Sequence, residues 1–116
     1  MKDYKRNISV YKDYFWDFYN SQTQEVQKKI DWVIGLINVF KIVPQKYLKH
    51  LSGTDGLFEI RVQVGNNIFR VFCFFDKGNL VILLSGFQKK TQKTPKKEIK
   101  KAEQLKKEYY DNKSEQ

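Results

Sequence analysis

The chain has 116 residues and a mass of 13.9 kDa, which is the size of one small domain spanning residues 1–116. Its formal net charge of +9 at pH 7 favours an acidic partner: nucleic acid first, then an acidic protein, then an anionic membrane. One cysteine, Cys73, excludes an internal disulfide, and a single histidine, His50, excludes a Cys/His metal cluster. We therefore expect no metal and no cofactor. The sequence shows no signal-peptide pattern and no membrane-length apolar run, so we expect a cytoplasmic protein without membrane attachment.

The N-terminal part of the chain predicts a strand followed by two helices. Residues 7–11 alternate polar and apolar side chains, which is typical of a short strand. Apolar residues at helical spacing predict a helix over 13–19 and a longer one capped by Thr23, and together these form a helical hairpin. The apolar stripe of the longer helix consists of Val26, Ile30, Val33, Ile34, Ile37 and Phe40.

The rest of the chain predicts a three-stranded meander and a final helix. Pro44 ends the helical region, and residues 44–56 form a loop. Strands follow over 57–64, 67–75 and 80–84, and Gly86 lets the chain leave the sheet. Thr94 caps the last helix and Pro95 occupies its first position, whereas residues 111–116 form a frayed tail. The order β-α-α-β-β-β-α predicts an α+β fold: a helical hairpin packed on a four-stranded, mainly antiparallel sheet, with the first strand beside a meander strand.

Two arginines mark a candidate site on this sheet. If Gly65-Asn66 is the two-residue loop of a hairpin, Arg61 lies directly opposite Arg70. Like charges in that position are destabilising, so an anion is expected between them, and in so basic a chain that anion is most plausibly a nucleic-acid phosphate. Glu59 lies on the same face and is either a general base or the ion-pair partner of the arginines, the role we prefer.

The C-terminal region is strongly basic. From Lys89 to Lys107 there are nine lysines and two glutamates, a net charge of +7. Such a patch is expected to bind RNA phosphates, although a merely solvated basic face is an equal alternative. The residues assigned to RNA or ribosome binding there are Lys90, Lys93, Lys96 and Lys97.

Three blocks of sequence carry a family resemblance: GTDGLFEIRV from Gly53, NIFRV from Asn67 and GFQKKTQKTP from Gly86. Together they resemble the RelE/ParE superfamily of type II toxins, in particular its HigB-like, phage-derived group. The resemblance implies a RelE-like domain, a metal-free endoribonuclease that cleaves mRNA in the ribosomal A site, and contacts with ribosomal RNA. It also implies neutralisation by a helix-turn-helix, HigA-like antitoxin.

The resemblance also implies residue roles. Arg61 and Arg70 correspond to basic residues that bind the scissile phosphate and stabilise its transition state. Lys89 is a candidate general acid or phosphate ligand at the border of the cleft. Phe87 either stacks on a base or packs in the core, and Lys49 is preferred to His50 as an RNA-binding residue.

Two other functions remain open at this stage. A ParE-type toxin would act on DNA gyrase and lack the RNA-cleaving constellation. A non-catalytic RNA- or ribosome-binding module would explain why no obvious histidine or tyrosine acid–base group is present.

Overall fold

The computed structural model describes residues 4–114, which form five strands and three helices. None of these helices is long and apolar enough to cross a membrane. In chain order the elements are β1 (Asn7–Val10), α1 (Tyr14–Asn20), α2 (Gln24–Val39), β2 (Leu48–His50), β3 (Phe58–Val64), β4 (Asn67–Phe75), β5 (Leu80–Lys89) and α3 (Lys96–Ser114).

The strands form one mixed sheet in the order β1-β5-β4-β3-β2. β1 runs parallel to β5, and the other neighbours are antiparallel, which confirms the α+β class and the position of the first strand. The predicted number of four strands was wrong. Leu48–His50, within the predicted loop over residues 44–56, forms a fifth strand that pairs with Phe58–Ile60. Three residues are too few to show a strand period, and β2 forms because it provides partners for the outer edge of β3.

The helical hairpin of α1 and α2 packs on one face of the sheet. Ile30, Val33 and Ile37 are fully buried there against Ile60 and Val62 of β3. The predicted cap is confirmed, since the Thr23 side chain accepts a hydrogen bond from the backbone of Val26. The prediction of a buried apolar stripe on α2 is wrong only at its last residue, Phe40. This residue follows the end of the helix in an extended conformation and is 53 % exposed.

The other face of the sheet is covered by α3. Ala102 and Leu105 of α3 are buried with Phe72 and Phe74 of β4 and with Leu84 of β5. α3 contacts β4 and β5, so the polar residues that β3 presents on this face lie beside the helix instead of beneath it. This arrangement leaves space beside α3 for a binding or catalytic site on β3.

The C-terminal end of α3 is anchored to the turn between β4 and β5. The buried Asp76 carboxylate accepts hydrogen bonds from the Tyr109 hydroxyl at 2.6 Å and the Lys113 ammonium at 2.7 Å. These contacts hold the pKa of Asp76 well below its usual range. Burial, followed by the bond to Asp76, raises the pKa of Tyr109 to about 12. The helix therefore continues through Ser114, where a frayed end was predicted from residue 111; residues 115–116 lie outside the described part of the chain.

Two further local predictions were wrong. Gly86 lies inside β5 and does not end the sheet; a Cβ atom there would lie 2.5 Å from Cδ2 of Phe18, so glycine is needed for the close approach of α1. Thr94 does not cap α3, because its hydroxyl donates to Glu59 and the Pro95 carbonyl accepts the first helical bonds.

Candidate active site

The two arginines face each other as the sequence predicted. Residues 65 and 66 form the β3–β4 turn, Val64 pairs with Asn67, and Arg61 lies directly opposite Arg70. Arg70 is in turn opposite Phe87 of β5, so a single row crosses three strands. The row lies on the α3 side of the sheet, because the alternate residues Ile60 and Val62 are buried against α2.

Arg70 and Glu59 form a buried ion pair. The Arg70 Nε atom lies 3.7 Å from Oε2 of Glu59, and the two side chains are only 8 % and 4 % exposed. The same Glu59 oxygen accepts a 2.6 Å hydrogen bond from the Thr94 hydroxyl. Burial lowers the pKa of Arg70, as does the positive charge of Arg61, while Glu59 opposes both effects. The Glu59 carboxylate therefore offsets part of the repulsion between the positive charges of Arg61 and Arg70.

The two guanidinium groups keep unused hydrogen-bonding capacity. Nη1 of Arg61 donates to the Gln45 carbonyl at 3.3 Å, and Nη1 of Arg70 donates to the Phe69 carbonyl at 3.1 Å. The Nε atoms of both arginines are buried without a hydrogen-bond partner among the described residues. A guanidinium has five N–H donors and each of these two donates one hydrogen bond to a carbonyl, so the pair is suited to receive an anionic acceptor.

Two lysines add positive charge to this face. Lys49 of β2 lies opposite Glu59, and Lys89 of β5 lies opposite Ile68, one row beyond Arg70. Burial lowers the pKa of Lys89, and the neighbouring Arg70, Arg61 and Lys49 charges lower it further, against the opposing effect of Glu59. Four cationic groups thus surround one carboxylate, which gives the site a local charge of +3.

Comparisons with known proteins identify the family and the fold of this chain. A model of the phage-derived, Gp49-like protein family matches residues 17–107. The chain belongs to this family. No curated protein sequence matches the chain significantly. In the crystal structure of the archaeal RelE–RelB complex from Pyrococcus horikoshii, one chain is similar to this one with a TM-score of 0.53 and 17 % identity, over 72 % of this chain and 93 % of that chain. The fold is thus RelE-like, and the predicted resemblance to the phage-derived group is confirmed by the family match.

In this Gp49-like protein, the remaining predicted RNA contacts occupy different environments. Phe87 is half-buried and stacks on Phe72 with ring centroids 5.6 Å apart, so its packing role is evident. His50 is placed away from the arginines: its ring contacts Phe58, which packs on the α2 side. Lys90 and Lys93 are exposed in the segment between β5 and α3, and Lys96 and Lys97 are exposed on the first turn of α3.

The structure also adds residues that the sequence did not indicate. Thr94 reaches the site from the segment before α3, although its sequence context suggested only a helix cap. A cleft of 520 Å³ beside Arg61 and Arg70 is lined in addition by Lys29, Lys46, Tyr47, Val62, Gln63 and Gly65. No local pattern could have found Lys29 and Lys46, because they reach the cleft only through the packing of α2 and the short pairing of β2.

Proposed function

We propose that this protein is the toxin of a type II toxin–antitoxin system and acts as a ribosome-dependent endoribonuclease on mRNA. The observation that carries the proposal is the opposed pair of arginines, Arg61 and Arg70, whose buried Nε atoms have no hydrogen-bond partner among the described residues. A phosphate between them would relieve their repulsion and accept their unused donors. The RelE-like fold and the family match support the assignment.

The proposed reaction uses the RNA's own 2′-hydroxyl as nucleophile. Its oxygen attacks the adjacent phosphorus, the bond to the 5′-oxygen breaks, and a 2′,3′-cyclic phosphate remains. One proton leaves the 2′-hydroxyl and another reaches the departing 5′-oxygen. Arg61 and Arg70 hold the phosphate and stabilise the additional negative charge in the transition state.

Lys89 is the proposed donor to the 5′-oxygen. Its lowered pKa makes it a better acid than an ordinary lysine, and it lies one row from Arg70 on the same face. Glu59 has the geometry of a charge partner, since its carboxylate is held by Thr94 and lies beside Arg70. A role for Glu59 as the general base is the alternative. No metal is required by this mechanism.

The proposed partners follow from charge and family. The lysines at the start of α3 would contact ribosomal RNA and orient the site over mRNA in the A site. A helix-turn-helix antitoxin of the HigA-like type is the proposed inhibitor; the structural neighbour was crystallised as a RelE–RelB complex, which supports a protein partner.

The test is induced expression with mapping of mRNA 5′ ends, for the wild type beside Arg61→Ala and Arg70→Met. We expect growth arrest and in-frame cuts within translated messages, both lost in the variants and both retained in the exposed-charge control Lys41→Ala. Circular dichroism of each purified variant verifies that it folds. Arrest without cuts would instead indicate a protein target such as gyrase, and no arrest would indicate a non-catalytic RNA-binding module.

A further inference from the structure

Among the described residues, no strand pairs with the second half of the outer edge of β3. β2 pairs only as far as Ile60, and the last backbone hydrogen bond on this side runs from the Arg61 amide to the Tyr47 carbonyl. The 520 Å³ cleft lies at this edge. It therefore connects the arginine face of the sheet with residues that belong to the α2 side.

The lining of the cleft combines cations, an aromatic ring and an amide. Lys29 comes from α2, while Lys46 and Tyr47 come from the segment before β2. The half-buried Tyr47 ring is supported by Trp32, with the two ring centroids 5.4 Å apart. Gln63 is exposed; its amide nitrogen donates to the Gly65 carbonyl, and an amide has a second N–H and an oxygen to offer.

The charge in the cleft is of one sign. Four of its lining residues are basic and none of those described is acidic. A carboxylate first enters in the neighbouring depression along α2, where Glu25 accompanies Lys28, Lys29 and Trp32. That depression still has two lysines to one carboxylate, so an anionic ligand is favoured most strongly beside the arginines and less strongly along α2.

We propose that this cleft binds the nucleotide next to the scissile phosphate, so that single-stranded RNA crosses the free edge of β3. Tyr47 stacks on the base and Gln63 contacts the base edge. Lys29 and Lys46 neutralise the adjoining phosphate. Aromatic stacking and phosphate contacts of this kind are the usual means of holding single strands, and the amide would supply a base preference. The inference rests on the proposed function, because it takes the arginines to hold the phosphate that is cut.

Binding of the purified protein to a short, fluorescein-labelled single-stranded RNA provides the first test. We expect Tyr47→Leu to weaken binding by roughly 5- to 150-fold and Tyr47→Phe to bind like the wild type, because only the ring is needed. Lys29→Ala and Lys46→Ala should each reduce the slope of log affinity against log salt by about 0.7, whereas Lys41→Ala should leave it unchanged. Thermal denaturation verifies that the leucine variant is folded at the assay temperature.

Mapping of 5′ ends in cells expressing Gln63→Leu completes the test. We expect cleavage to continue with an altered base preference next to the cut. Cleavage with unchanged preference, together with wild-type RNA affinity in the Tyr47→Leu and lysine variants, would overturn the subsite while leaving the nuclease intact. RNA binding that depends on these residues in a protein that makes no cuts would retain the subsite and overturn the nuclease.

Discussion

The replacement Glu59→Gln tests whether a buried carboxylate is what allows Arg61 and Arg70 to share one row. Glutamine keeps the shape of the side chain and an acceptor for the Thr94 hydroxyl, but it removes the negative charge 3.7 Å from Arg70. With an effective dielectric constant of about 20, the lost attraction is about 4.5 kcal/mol. Part of it returns as the guanidinium gains hydration, so we expect the free energy of unfolding to fall by about 2–3 kcal/mol.

Urea denaturation followed by circular dichroism measures this change. Arg70→Met alone should also destabilise the protein, because it leaves Glu59 charged at 3 % exposure. The double variant Glu59→Gln/Arg70→Met removes both charges and should unfold within about 1 kcal/mol of the wild type. If Arg70→Met costs as much as Glu59→Gln, the coupling energy is about 3–5 kcal/mol. If the single changes are additive in the double variant, the ion pair does not stabilise the fold.

Two further measurements on Glu59→Gln connect this stability to the site. Inorganic phosphate should raise the melting temperature of the variant more than that of the wild type, because the anion replaces the missing carboxylate between the arginines. Cleavage per folded molecule should persist. A folded Glu59→Gln protein that binds RNA and cuts no message would identify Glu59 as the general base and refute the ion-pair reasoning.

Three more changes probe the surroundings of the site. Lys89→Met should abolish cleavage yet raise the free energy of unfolding at neutral pH, because the lowered pKa of Lys89 shows that its positive charge is destabilised in the folded protein. The gain in stability should shrink as the pH rises toward 10.5, where the lysine loses its charge. A loss of stability at pH 7 would contradict the idea that this charge is destabilised. Asp76→Asn should cost about 1–3 kcal/mol in urea denaturation at pH 7. That difference should begin to shrink as the pH falls below about 3.9, where the carboxyl of the unfolded chain protonates. It should be lost only at a much lower pH, where the folded carboxyl with its lowered pKa also protonates; a difference independent of pH would refute the reasoning. Gly86→Ala should cost about 1–3 kcal/mol through overlap with Phe18, and an unchanged melting temperature would show that α1 moves freely.

The arginine pair was predictable from sequence because a two-residue turn fixes the register of a hairpin. Once Val64 pairs with Asn67, the alternation of side chains determines that Arg61 and Arg70 meet on one face. The buried stripe of α2 was predictable for a similar reason, since helical spacing selects Ile30, Val33 and Ile37. In both cases the information lies within a few neighbouring residues.

The missed features depend on contacts between distant parts of the chain. Thr94 stands before a proline and a helix, a context that predicts a cap, but a carboxylate 35 residues earlier competes successfully for its hydroxyl. β2 owes its three residues to pairing with β3 and shows no period of its own. Lys29 and Lys46 would each be assigned to solvent by any local pattern. The packing of α2 brings Lys29 to the arginines, and the pairing of β2 with β3 brings Lys46 there.

The location of the site follows from unequal coverage of the two faces of the sheet. Five strands bury their α2 side almost completely, whereas α3 covers only the β4 and β5 part of the other side. Glu59, Arg61, Arg70 and Lys89 lie on the uncovered part of β3 and at the rim of β4 and β5, where polar side chains do not interrupt the apolar core, although Glu59 and Arg70 are themselves buried. The repulsion among the three cations lowers stability, and it is tolerable because the apolar clusters on both faces supply the folding energy. The same repulsion favours an anion that enters, so on the proposed function the strain that weakens the free protein would be the source of its affinity for the RNA phosphate.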